Sequence, residues 1–305
     1  MSAPLLTYAL ITPVRDEREA LPALVRCIVG QSARPQTWIV VDTGSSDETV
    51  ELATDAAREY PWIRVRTLAA GGGVERGGPI ARAFEAGLAS LETAPDVVVK
   101  LDADVTMAAD YFERLLAEFE ADPALGMASG IAYERDAHGV WRQRHVTDGH
   151  VWGAARAYRW ACLQQILPLE ARMGWDGVDE LKAGARGWRT ETLRHLPFRH
   201  NRREGERDGA RRRAFWAKSG GAAHYMGYRP SYVLARTLHH ALRDRAALAL
   251  LWAYAAASIR RDPRCPDADA RAFLRNKQRL RHLPSRMREA NRRRETEHQQ
   301  AHAAA

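Results

Sequence analysis

The 305-residue sequence predicts an α/β fold: a mostly parallel sheet flanked by helices, with a helical region appended at the C-terminal end. Three observations carry this expectation. Strand-like and helix-like segments alternate through residues 1–130. Polar clusters recur at the carboxyl ends of the strand-like segments, where open α/β sheets bind ligands. Residues 230–260 then read as helix alone.

Tyr8–Pro13 forms the first expected strand, and Leu21, Leu24, Val25 and Ile28 share one face of the helix after it. Trp38–Asp42 is the second strand. Ser45 and Glu48 stand at capping-box spacing ahead of a helix carrying Val50, Ala53 and Ala57. Trp62–Leu68 is the third strand. A glycine-rich loop leads from it to a helix with Pro79 in its first turn and Ile80, Ala83, Phe84, Gly87, Leu88 and Leu91 at helical spacing. Val97–Leu101 is the fourth strand, Phe112, Leu115, Leu116 and Phe119 mark the next helix, and Gly126–Ala132 is a fifth strand. Right-handed crossovers between such strands give a parallel sheet covered on both faces. From about residue 133 the pattern turns irregular and aromatic, with Trp141, Trp152, Tyr158 and Trp160, as suits a substrate-facing half. The expected organisation is one domain over 1–228 (halves 1–130 and 131–228), a helical region over 229–284, and a basic, disordered tail over 285–305.

Composition narrows the functional class. The chain is 46% hydrophobic and 28% charged, as a soluble globular protein should be. No apolar run reaches the ~20 residues of a membrane span. Ala246–Ile259 is too short to cross and reads as a packed or surface-lying helix. The chain opens almost directly into a strand, without a basic-then-apolar leader, and Cys27, Cys162 and Cys265 suggest neither a disulfide frame nor a zinc site. A reducing cytoplasm is the expectation. The net charge of +8 gathers after residue 186, in Arg199–Arg213 and Arg271–Arg294. Such a half can meet nucleic acid, an anionic membrane face or phosphorylated substrates. No basic strand interleaved with aromatics supports RNA recognition, and nucleic acid is not the expected partner.

The chemistry lies at the strand ends. Val97–Leu101 runs directly into Asp102-Ala103-Asp104. A buried strand has no use for carboxylates at its end unless something beyond it needs negative oxygens, usually a hard divalent cation. In extended chain, positions i and i+2 point the same way, so the two acids converge on one ligand. Arg15, Asp16 and Glu17 follow the first strand, and Asp42 closes the second. Three strand ends therefore deliver polar clusters to one rim. The glycines at 71–73 and 77–78 match neither the dinucleotide fingerprint nor a P-loop, since Arg76 stands at the third glycine and no Lys-Ser/Thr follows.

In order, Ile11-Thr12-Pro13-Val14-Arg15-Asp16-Glu17, Val40-Val41-Asp42-Thr43-Gly44-Ser45-Ser46-Asp47 and Leu101-Asp102-Ala103-Asp104 resemble the inverting family 2 glycosyltransferases of GT-A fold, over roughly residues 5–205. The resemblance implies a nucleotide-sugar donor, UDP- or another NDP-sugar, whose diphosphate is bridged by Mn²⁺ or Mg²⁺. It implies Asp104 as principal metal ligand, Asp102 at the ribose or the metal's water shell, and Asp42 at the nucleobase. Pro13, Arg15 and Glu17 would lie along the nucleoside, Arg82 would reach the diphosphate, and His200 would complete the metal or diphosphate site. The family's Glu-Asp before a helix ending in Gly-aromatic is absent. Here the stretch is Gly174-Trp175-Asp176-Gly177-Val178-Asp179-Glu180, ending in Arg186-Gly187-Trp188, so the general base is Asp179 or Asp176 and the two stay unseparated. The basic stretch Arg202–Arg213 reads as a mobile loop that closes over donor phosphates. The acceptor is expected to be a hydroxyl of a glycan or a lipid-linked saccharide, with peripheral association to an anionic membrane face. The competing readings are a nucleotidyltransferase, which needs an N-terminal glycine-rich basic loop that Thr12–Arg15 does not supply, and a degenerate fold member that binds nucleotide, nucleic acid or membrane without transfer.

Overall fold

The computed structural model describes residues 6–68, 77–136, 139–144, 149–172, 174–201 and 209–279, the last segment without the side chains of 209–211. The glycines at 71–73, the arginine-rich residues 202–208 and the tail at 285–305 lie outside the described residues. The chain divides into two compact units between Arg203 and Glu204, ahead of residue 228.

In the first unit the expected α/β alternation is present: β1 (Tyr8–Val14), α1 (Leu21–Val29), β2 (Thr37–Asp42), α2 (Thr49–Glu59), β3 (Ile63–Thr67), α3 (Gly78–Leu88) and β4 (Val97–Leu101). These strands lie in the order β3-β2-β1-β4 and pair in parallel throughout. The second half is mixed. After β5 (Val105–Met107), α4 (Tyr111–Ala121) and β6 (Leu125–Arg135) come β7 (Trp141–Gln143), β8 (Ala155–Arg159), α5 (Trp160–Ile166), α6 (Trp175–Ala185) and β9 (Arg189–His200). β8 joins β4 to β6 antiparallel on both sides, β6 and β9 run parallel, and β5 returns antiparallel on β9. The short strands β5 and β7 carry too few residues for a period to show in the sequence.

Both faces of the sheet are buried. Leu10, Trp38, Val40, Val97 and Val99 pack with α1, α2 and α4 on one side. Ile11, Ile39, Val41 and Val98 pack with α3, α5 and α6 on the other. Alternate residues of one strand thus serve opposite cores, the period-two signature of a sheet in the middle of three layers. The buried Trp38 indole donates to Thr12 Oγ1 at 2.9 Å, so its polar atom is satisfied inside the core.

One local expectation fails. Ser45 and Glu48 do not form a capping box, because α2 starts only at Thr49 and Glu48 makes no side-chain capping bond. Ser45 Oγ instead accepts the Asp16 amide at 3.0 Å, and Asp47 Oδ1 accepts the Thr49 amide at 3.1 Å. The loop after β2 spends its hydroxyls on the neighbouring β1–α1 loop rather than on its own helix.

The second unit is helical. It contains α7 (Gly209–Tyr225), α8 (Pro230–Ala241), a single 3₁₀ turn at Arg245–Ala247, α9 (Leu248–Ile259) and α10 (Ala268–Lys277). Ala223, Val233, Leu250 and Tyr254 form its core. No helix among the described residues is long and apolar enough to cross a membrane.

Candidate active site

β4 ends at Leu101 and β5 begins at Val105, so Asp102 and Asp104 occupy the bend between them. The antiparallel β5–β9 pair sets Val105 opposite His200. His200 Nε2 lies 3.3 Å from Asp104 Oδ1. One ligand atom each from Asp102, Asp104 and His200 falls within 4.8 Å of the other two. Two carboxylates and one imidazole converging at that range fit a divalent cation with oxygen and nitrogen ligands.

A fourth residue, Glu134, completes the corner, and no motif in the sequence points to it. His200 Nδ1 lies 3.0 Å from Glu134 Oε1, and Arg144 Nε is 3.3 Å from the other Glu134 oxygen. A carboxylate behind a histidine fixes which ring nitrogen faces forward. Burial opposes a charged imidazole here, yet the hydrogen bonds to Asp104 and Glu134 and the nearby acidic charge outweigh it, raising the pKa of His200 to about 10. Glu134 reaches His200 through a bulge. Gly130 pairs with Leu193, but Ile131 already pairs with Pro197, and this shift brings Glu134 level with His200. A Cβ on Gly130 would stand 2.0 Å from the Leu196 carbonyl oxygen, so only glycine permits the approach. Glu134→Gln is expected to weaken divalent-cation binding by about 10- to 100-fold, the usual loss for an orienting carboxylate. Titration calorimetry of the purified protein with Mn²⁺ measures it, and an unchanged affinity would deny Glu134 that role.

Lys100 is buried on β4, with its ammonium against Asp102 Oδ1 and donating to the Gly153 carbonyl at 2.9 Å. A buried cation needs such partners, because desolvation costs several kcal/mol without them. The lysine offsets the charge of Asp102 and ties residues 149–154 to the rim, while Asp104 faces His200.

The residues expected along the nucleoside gather at the ends of β1 and β2. Val14 pairs with Asp42 in the parallel register. Asp42 is buried and accepts the Gly44 and Ser45 amides at 3.0 and 3.1 Å. A carboxylate has about four acceptor sites, so capacity for a further donor remains. Asp16 adopts a left-handed conformation, φ 52°, held by the Ser46 amide and hydroxyl on its Oδ1. Pro13 and Arg15 are half-buried, and Arg15 Nε is a buried donor without a hydrogen-bond partner. The Glu17 amide donates to Thr49 Oγ1 at 2.7 Å, which places that residue at the junction of the two loops. Arg82 is exposed on α3, and no described contact joins it to the cluster.

α6 places the two residues expected as general base in different surroundings. Asp179 is wholly buried, with one carboxylate oxygen on the Tyr158 hydroxyl at 2.9 Å and the other without a partner. Asp176, one turn earlier, is half-exposed, and its Oδ2 lies 3.7 Å from where a Cβ on Gly153 would be. Gly153 is also the residue whose carbonyl holds Lys100, the partner of Asp102. The buried Arg156 guanidinium anchors this corner. It donates to the Asp176 carbonyl and to Glu180 Oε1, each at 2.9 Å, and to the Val151 carbonyl. Glu180 Oε1 also accepts the Val151 amide at 2.9 Å and lies 3.0 Å from His150 Nδ1.

Burial pushes the Asp179 pKa up to about 7, outweighing the opposing pull of Arg156 and the Tyr158 hydrogen bond. The native state then holds a proton that the unfolded chain releases above the ordinary carboxyl value of 3.8. This stabilisation is complete below that value and is lost as pH rises towards 7. Asp179→Asn is therefore expected to flatten the stability decline between about pH 4 and pH 7. Urea unfolding at both pH values checks it, and an unaltered slope would place the titration elsewhere.

The Glycosyl transferase family 2 profile matches residues 9–175, more than half the chain. No curated protein sequence matches significantly. Among solved structures, the mannosyltransferase PcManGT from Pyrobaculum calidifontis, in complex with GDP-Man and Mn²⁺, is similar at TM-score 0.58 and 19% identity, covering 95% of this chain and 86% of that one. GalNAc-T7 with UDP, GalNAc and Mn²⁺ is similar at TM-score 0.54 and 14% identity over 65% of this chain, which spans 44% of that one. S. aureus TarS with UDP-GlcNAc is similar at TM-score 0.52 and 16% identity, covering 70% of this chain and 66% of that one. These likenesses share the curled α/β sheet of the GT-A fold. With strands, rim acids and family profile coinciding over the same residues, the chain belongs to glycosyl transferase family 2 and is a glycosyltransferase.

Proposed function

We propose that the protein transfers a sugar from a nucleoside diphosphate donor to a hydroxyl acceptor with inversion at the anomeric carbon, in a single metal-dependent displacement. The convergence of Asp102, Asp104 and His200 on one point carries this reading. Those residues would hold Mn²⁺ or Mg²⁺, which would supply neutralising charge to the leaving diphosphate. Asp104 is the principal ligand. Asp102, braced by Lys100, serves the ribose or a metal-bound water. Asp42 accepts a hydrogen bond from the nucleobase, with Pro13, Arg15 and Glu17 along the nucleoside and the unpartnered Arg15 donor turned to use. Arg82 approaches the diphosphate from α3.

Asp176 is the general base in this proposal. Its carboxylate removes the acceptor hydroxyl proton as that oxygen forms a bond to the anomeric carbon. The bond from that carbon to the diphosphate oxygen breaks on the opposite side, and the nucleoside diphosphate departs with the electron pair. Asp179, shut inside the core against Tyr158, supports α6 instead. The acceptor is a glycan or lipid-linked saccharide, and the enzyme works peripherally on an anionic membrane face. Screening nucleotide sugars for Mn²⁺-dependent hydrolysis and transfer tests the reading. Turnover that survives complete chelation of divalent cations would refute it.

A further inference from the structure

Deepening the proposed membrane-face role, and resting on it, we infer that α9 lies along an anionic lipid surface through a specific ridge of side chains. Leu250, Tyr254 and Ala257 bury one face of α9 in the core of the second unit. At 100° per residue, Leu248, Trp252, Ala255 and Ile259 fall on one line along the opposite face. On that line Leu248 is 53%, Trp252 73% and Ile259 81% exposed. The helix is thus apolar all round, a composition water alone does not stabilise. Leu234, Leu238 and Leu242 add further exposed leucines on and just after α8.

The charges around the ridge select the partner. Between residues 243 and 264 the sequence carries five arginines and two aspartates. Arg243 and Arg245 precede the helix, Arg260, Arg261 and Arg264 follow it, and all five are exposed. Both acids are engaged: Asp244 accepts the Trp216 indole at 2.9 Å and caps the 3₁₀ turn, and Asp262 pairs with Arg260 at 2.7 Å. Arginines at both ends of an apolar row, with an exposed tryptophan inside it, suit a helix lying at the boundary of headgroups and acyl chains. At about 18 Å long, α9 cannot cross a ~30 Å hydrocarbon core, so it lies in the surface. A second copy of the chain fits poorly. Two-fold pairing of the ridge would bring arginines against arginines at both ends, whichever way the helices run. Phospholipid headgroups supply the missing negative charge, at about 1 kcal/mol per basic residue near the surface.

Flotation of the full chain with vesicles containing about one-third phosphatidylglycerol, against pure phosphatidylcholine vesicles, tests the assignment. Capture by the anionic vesicles is expected, with at least about tenfold weaker partitioning of the L248S/W252S/I259S variant. Because these side chains are exposed, circular dichroism should match the parent. Nucleotide-sugar hydrolysis in solution is measured alongside and should be unchanged, which separates failure of the docking surface from failure of the transferase reading. Equal capture of the variant, no capture of the parent, or a parent dimer that the variant abolishes in sedimentation would each overturn the inference.

Discussion

Asp104→Asn is expected to lower the Mn²⁺-dependent affinity for a nucleoside diphosphate by at least about a hundredfold, because it removes a charged ligand rather than a group that merely orients one. The substitution preserves shape and His200 keeps Glu134 at 3.0 Å, but the lost Asp104 hydrogen bond also lowers the His200 pKa, so some stability is lost near neutral pH as well. Calorimetry with UDP and with GDP, each with and without Mn²⁺, reads the loss directly. Asp102→Asn should behave differently. The Asp102 carboxylate neutralises the buried Lys100, which also donates to the Gly153 carbonyl at 2.9 Å. A neutral amide at that position cannot balance the ammonium, so the expected cost is about 1–3 kcal/mol of stability alongside a smaller loss of metal affinity. If both variants lost binding equally and unfolded alike, the division of labour between the two acids would be wrong.

Asp176→Asn should reduce kcat by about 10²- to 10⁴-fold while leaving donor affinity within about twofold, the pattern of losing a general base. The Asp179→Asn enzyme should retain most of its turnover, since that carboxyl faces Tyr158 in the core. Presteady-state transfer to a defined acceptor, with donor binding measured separately, distinguishes the two. Full turnover in Asp176→Asn, or an equal loss in a well-folded Asp179→Asn, would reverse the assignment. Arg156 matters here without touching substrate. Its donation to the Asp176 carbonyl holds the first turn of α6 against β8, so its removal should disturb the position of Asp176 as well as that of Glu180.

The burial of Asp179, in contrast to the half-exposed Asp176, was within reach of the sequence once α6 was granted. Trp175, Val178, Asp179, Lys182 and Ala183 repeat at three- and four-residue steps and form the buried face. Two charged residues in that stripe disguise it, because charge at a core position contradicts the usual reading of amphipathicity. Lys182 is tolerated there because its ammonium finds the Pro168 carbonyl at 2.7 Å and Glu170 at 3.4 Å. Asp179 is tolerated because its raised pKa lets it stay protonated. The false capping box at Ser45 has the opposite cause. Its spacing is right for a helix start, but the hydroxyl was claimed by Asp16, 29 residues away in sequence.

By itself, the sequence determined the alternation of strands and helices, the burial of both sheet faces and the delivery of Asp42, Asp102 and Asp104 to strand ends. Those features follow from local periodicity and from parallel crossovers, which place successive carboxyl ends on one rim. Only the tertiary structure decided that β5 turns back onto β9, that the Gly130 bulge moves β6 into register with His200, and that Glu134 stands behind the imidazole. Those pairings join residues 66 and 96 positions apart, between His200 and Glu134 or Asp104. Which strand a short segment joins, and in which register, is settled by packing against the whole sheet, and no local pattern in the chain records it.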